Sequence, residues 1–95
     1  MQPQILDFTL AKIQAFNQAM GGGVAIRKVG RGYSLFTEDS DEPVARIRPA
    51  SQSGWFEILY WSGERWKLWT SRGTRHSLDD ALEQIASDPD HCFWE

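Results

Sequence analysis

Ninety-five residues with a net charge of −3 and 13% aromatic content describe one modest domain, too short for two cores. The single cysteine, Cys92, excludes an intrachain disulfide, and apolar runs of at most about four residues exclude a membrane-spanning helix. The amino terminus has neither a basic n-region nor an apolar h-region, so a cytoplasmic, reducing location is expected. Charge is segregated: residues 24–75 carry nine Lys and Arg against six acids, and the flanks carry one against seven.

From about Pro3 to Met20 the apolar residues Ile5, Phe8, Ile13, Phe16 and Met20 recur at helical spacing, with Ala11, Ala15 and Ala19 as good helix formers. The spacing predicts an N-terminal helix within residues 1–20. Gly21-Gly22-Gly23 ends it, because three glycines cost too much backbone entropy inside an element and accept left-handed conformations at a helix terminus.

Residues 24–70 then read as a β-meander of five short strands: Val24–Val29, Tyr33–Glu38, Pro43–Arg48, Trp55–Trp61 and Trp66–Thr70. The separators are short enough for hairpins. Four of the five tryptophans lie in the last hairpin, around which the chain is organised. Residues 77–87 predict a second helix, with Ser77 as N-cap, Asp79 and Asp80 in the first turn, and Leu78, Ala81, Leu82, Ile85 and Ala86 as its stripe. Asp88-Pro89 stops it, and residues 88–95 form an aromatic tail.

Strand residues alternate between faces, so a choice of register assigns every side chain. Pairing Val29 with Tyr33, Glu38 with Pro43, Arg48 with Trp55 and Trp61 with Trp66 places Val24, Ile26, Phe36, Ala45, Ile47, Phe56, Ile58, Tyr60, Trp69 and Lys67 under the helices. The opposite face then holds Arg27, Val29, Tyr33, Leu35, Val44, Arg46, Arg48, Trp55, Glu57, Leu59, Trp61, Trp66 and Leu68, with Arg46 opposite Glu57. Monomers seldom leave an apolar patch of more than a few hundred Å² bare. A second copy, a partner, a ligand or the chain's own tail should cover it.

The candidate binding face is therefore Arg27, Tyr33, Arg46, Arg48, Trp55, Trp61 and Trp66. Arginines among aromatic rings on an antiparallel sheet also suit single-stranded nucleic acid, since bases stack on rings while guanidinium groups meet phosphates. The acidic balance and the absence of any RNP-like or Lys-rich signature disfavour that alternative. A metal or thiol site around His91-Cys92, with His76, Asp88 or Asp90, lacks paired-ligand spacing, and a buried cysteine packing as a small hydrophobe explains Cys92 better. No cofactor, metal or catalytic residue is expected. Gly21-Gly22-Gly23 and Gly30-Arg31-Gly32 precede no helix and so are not phosphate loops.

The stretch Pro43-Val44-Ala45-Arg46-Ile47-Arg48, the hairpin Trp55–Trp69, the capped helix Ser77-Leu78-Asp79-Asp80-Ala81-Leu82 and the ending Asp88-Pro89-Asp90-His91-Cys92-Phe93-Trp94 together resemble a family of small bacterial proteins known only as a domain of unknown function. The resemblance covers roughly residues 24–94. Members often carry Trp-His where this chain has Trp66-Lys67, and a final glycine where it has Glu95. The resemblance implies an ordered C-terminal tail and no particular activity.

The expectation is an α+β domain, with an N-terminal helix, a five-stranded antiparallel meander and a C-terminal helix, both helices on one face. Its expected role is non-enzymatic binding, through a homodimer or a protein partner, with no membrane partner and with nucleic acid as the alternative.

Overall fold

A computed structural model describes residues 7–94. The element order is α1 (Phe8–Ala19), β1 (Val24–Val29), β2 (Gly32–Thr37), β3 (Pro43–Pro49), β4 (Phe56–Trp61), β5 (Trp66–Leu68) and α2 (Leu78–Ser87). All neighbouring strands pair antiparallel in the order β1-β2-β3-β4-β5, the expected meander. The fold class is α+β.

Helix α1 starts later than the periodicity suggests. Asp7 is extended and its carboxylate accepts from the Leu10 N–H at 2.9 Å, which makes it the N-cap. The earlier part of the expected stripe, including Ile5, lies outside the described residues. At the other end Met20 is the C-cap, and Gly21, Gly22 and Gly23 all take positive φ, as a helix stop requires.

The registers correct the expected faces. Val29 pairs with Gly32, which leaves a two-residue turn at Gly30-Arg31 with positive φ at Gly30, where a type II′ turn wants glycine. Between β2 and β3, Leu35 pairs with Ala45 but Phe36 with Pro43, so Val44 is an extra residue, a β-bulge. The bulge turns β2 over relative to β3, and the tighter first turn turns β1 back. Tyr33 and Leu35 therefore lie under the helices and Phe36 on the other face, the reverse of the expected placement. Val44 is likewise buried in the helix-side core. Arg48 pairs with Glu57, where Arg46 had been expected. That shift of a whole pair leaves the faces of β4 and β5 unchanged.

The core lies on one side of the sheet. Ile13 of α1 and Ala81, Leu82 and Ile85 of α2 pack with Tyr33, Leu35, Val44, Ala45, Ile47, Ile58 and Trp69. Ser77 caps α2 as expected, accepting from the Asp80 N–H at 3.1 Å.

The tail belongs to this core. Asp88, in the left-handed rather than the extended region expected before proline, turns a buried carboxylate onto the chain that follows. Its Oδ1 accepts from the N–H groups of Cys92 (2.8 Å) and Phe93 (3.1 Å), and its Oδ2 from that of Trp94 (2.9 Å). Phe93 is thereby held 5.6 Å from Trp69, and the Trp94 indole donates to the Ile85 carbonyl at 2.9 Å. Asp90 accepts from the Trp69 indole (3.0 Å) and from the Ser71 hydroxyl.

Candidate functional site

Both helices and the tail pack on one face, so no helix among the described residues lies on the other. Along β4 and β5 this helix-free face carries Leu59, Trp61, Trp66 and Leu68. Trp61 and Trp66 are cross-strand partners whose rings meet edge to face at 5.3 Å, a geometry in which each ring limits the other's rotation. Leu59 is buried although it stands outside the helix-side cluster, with Arg46 and Leu68 as its cross-strand neighbours.

The three expected arginines do lie on this face, but each already has a partner. Arg27 pairs with Asp41 and stacks over the Phe36 ring, 4.4 Å from its centroid. Arg48 Nε donates to Glu57 Oε1 at 2.6 Å. Arg46 lies across β2, donating to the Ser34 hydroxyl and to the Val29 carbonyl, both at 2.8 Å. Gly32 makes room for it: a Cβ there would stand 2.6 Å from Arg46 Nη2. These guanidinium groups act as cross-strand clamps, and a phosphate would have to displace their present acceptors.

Two of the seven expected residues stand elsewhere. Tyr33 is buried on the helix side, where its hydroxyl donates to both Asp7 carboxylate oxygens (2.9 and 2.8 Å). Trp55 precedes β4 in the β3–β4 loop, exposed, beside Gln52 and Arg75. The face thus keeps Arg27, Arg46, Arg48, Trp61 and Trp66 and gains Phe36. Leu59 and Leu68 had been assigned to this face from the alternation alone.

Two polar clusters went unread in the sequence. Around Asp7, the Leu10 N–H, the Tyr33 hydroxyl and Lys28 (3.1 Å) hold the carboxyl down at about 2, while burial and the Asp7 charge raise the Tyr33 phenol. His76 is buried against Trp69, its Nδ1 2.8 Å from Asp80 Oδ2 and its Nε2 without a hydrogen-bond partner among the described residues. Hydrogen bonds from His76 and then Gln84 lower the Asp80 carboxyl. Neither cluster follows from strand periodicity: the first joins segments that only the tertiary fold brings together, and the second rests on the four-residue spacing of His76, Asp80 and Gln84 at the start of α2.

The Cys92 thiol is pushed up to about 11, by burial first and then by the charges of Asp88 and Asp90, so it is neutral at ordinary pH. Among the described residues no three His, Cys, Asp or Glu side chains group so that they would hold a metal ion. No helix is long and apolar enough to cross a membrane.

No curated protein and no solved structure matches the chain. Residues 9–95, nearly the whole length, match the family described as Domain of unknown function (DUF3024), and the chain belongs to that family.

Proposed function

We propose that this domain is a non-enzymatic interaction module whose helix-free sheet face docks a protein surface, in the first instance a second copy of itself. The observation that carries this reading is the strip Trp61, Trp66 and Leu68 beside the buried Leu59, on the face that carries no helix, next to arginines that are already satisfied internally. A protein surface asks for shape and apolar contact with few unpaired charges, and aromatic anchors held in place suit it. The Arg27–Asp41 and Arg48–Glu57 pairs place both signs on one face, which lets two copies meet without bringing like charges together. The neutral Cys92 thiol supports a role without covalent chemistry. A reducing bacterial cytoplasm fits the single cysteine and the resemblance described above.

Sedimentation equilibrium over a wide concentration range tests the reading. The expected result is a dimer that dissociates in the double variant Trp61→Ala, Trp66→Ala while circular dichroism stays native. A monomer at every concentration overturns self-association. A single-stranded oligonucleotide that binds with a steep salt dependence, and less well after Arg46→Ala or Arg48→Ala, would instead establish the nucleic-acid alternative.

A further inference from the structure

A second surface lies at the end of the sheet where three segments meet: the β2–β3 turn, the β4–β5 turn and the tail. They enclose a cleft of about 370 Å³ floored by Val44 and Phe93 and bordered by Trp61 and Trp94. These two indoles are 37% and 39% exposed, so ring surface remains for a ligand. Both rings are fixed before anything binds, Trp61 by its edge contact with Trp66 and Trp94 by its hydrogen bond to the Ile85 carbonyl. Preorganised walls spare a ligand the cost of ordering them.

The polar lining limits what the ligand is. Among the described residues Glu42 is the one charged residue bordering the cleft, and no Lys or Arg borders it. The hydroxyls at its rim are already committed: Thr37 Oγ1 accepts from the Glu42 N–H at 2.9 Å and lies 2.7 Å from Ser40 Oγ, while Ser62 Oγ donates to the Arg65 carbonyl at 2.9 Å. The Cys92, Phe93 and Trp94 N–H groups are spent on Asp88. A sugar would find few free partners here, and a primary ammonium would lack the acceptors its three N–H donors need. Two indole rings and one carboxylate, with no cation among the described lining residues, are what a methylated, weakly hydrated cation uses. Asp88 and Asp90, close enough for their charges to raise the Cys92 thiol, add negative charge nearby.

We infer that this cleft binds a quaternary ammonium group, held between Trp61 and Trp94 and balanced by Glu42. It shares Trp61 with the helix-free face, whereas Trp94, Glu42 and Phe93 take no part in that face.

The test is a titration of the full chain with choline chloride, followed by the indole N–H signals of all five tryptophans in two-dimensional NMR. The uncharged carbon isostere dimethylbutanol and methylammonium chloride serve as comparison probes. Saturable shifts confined to Trp61, Trp94 and the neighbouring Trp66, with a Kd on the order of a millimolar, are expected for choline alone. Glu42→Gln, which keeps the shape and removes the charge, should weaken choline about three- to thirtyfold, and Trp61→Leu by a similar factor. Absence of shifts overturns the inference, and so does equal binding of dimethylbutanol, which would mark an apolar cleft. Tighter binding of methylammonium, or unchanged choline affinity in a folded Glu42→Gln variant, also overturns it.

Discussion

The two helices lie on the same face of the sheet but are attached by different means. Helix α2 presents Ala81, Leu82 and Ile85 to the core, and its C-terminal cap recruits the tail as a further layer. Helix α1 fully buries Ile13 and packs Leu10 and Phe16 in part against the core, leaves Phe8 and the C-cap Met20 largely exposed, and adds polar tethers. These are Asp7 to Tyr33 and Lys28 at one end and the Asn17 side chain to the Val24 carbonyl (3.0 Å) at the other. One helix is held by fully buried apolar area, the other by one buried residue, two partly buried ones and a few directed contacts. Apolar periodicity in a sequence does not by itself tell these cases apart.

The contrast breaks most sharply in the core of α2. Leu82→Ala should cost about 2–5 kcal/mol, because the side chain is buried among well-packed neighbours that cannot fully collapse onto the space it leaves. Urea denaturation followed by circular dichroism reads this as a lower midpoint for the whole domain.

Asp88→Ala comes next, at about 2–3 kcal/mol, since it strands three backbone N–H groups around Phe93. Its particular signature is faster hydrogen exchange at residues 92–94. Cys92 should also become open to alkylation.

Tyr33→Phe should cost about 1–2 kcal/mol and act on the other helix, speeding exchange in the first turn of α1 while α2 stays protected. The same cluster sets a pH dependence. The folded Asp7 carboxyl, at about 2, lies below its ordinary value of 3.8, so its contribution is complete above pH 3.8 and is lost as pH falls toward 2. Asp80 is lowered too, so it acts in the same direction. Tyr33, raised above its ordinary 10.0, contributes below that pH and loses its contribution as pH rises further. Asp7→Asn should flatten the acid limb of stability measured by urea midpoints and, because the Asp7 charge helps raise the Tyr33 phenol, reduce the alkaline limb as well. The smallest effect is expected for Phe8→Ala, within about 0.5 kcal/mol, because the ring is already in water.

The order of the elements, the hairpin partners and the Ser77 cap were legible because each rests on local chemistry: turn residues, alternation, a hydroxyl before a helical stripe. The face of β2 was not legible. The bulge at Val44 leaves no mark in Pro43-Val44-Ala45-Arg46, whose residues are all β-compatible, and a single extra residue reverses every side chain beyond it. Two slips in opposite senses returned β1 to its expected side, so Val24 and Ile26 are placed as the alternation predicts for a partly mistaken reason. On the candidate face the arginines were recognised by type, but their engagement with Asp41, Ser34, the Val29 carbonyl and Glu57 depends on cross-strand geometry that composition does not carry. The cleft is not legible in the sequence, because Trp61 and Trp94 come to border one space only through the turn that Asp88 imposes.

The space above Gly32 has a consequence for how this surface can change over evolutionary time. The backbone at Gly32 is not in the left-handed region, so a larger residue there is refused only by the Arg46 guanidinium, the mobile end of a long side chain. Gly32→Ala would push that group off Ser34 and the Val29 carbonyl and into solvent, at modest cost to the sheet. A positive charge now folded down between strands would become available to anionic partners. A single methyl group thus separates a quiet, internally satisfied surface from one that attracts polyanions, a step open to any descendant of this chain and to anyone wishing to redirect it.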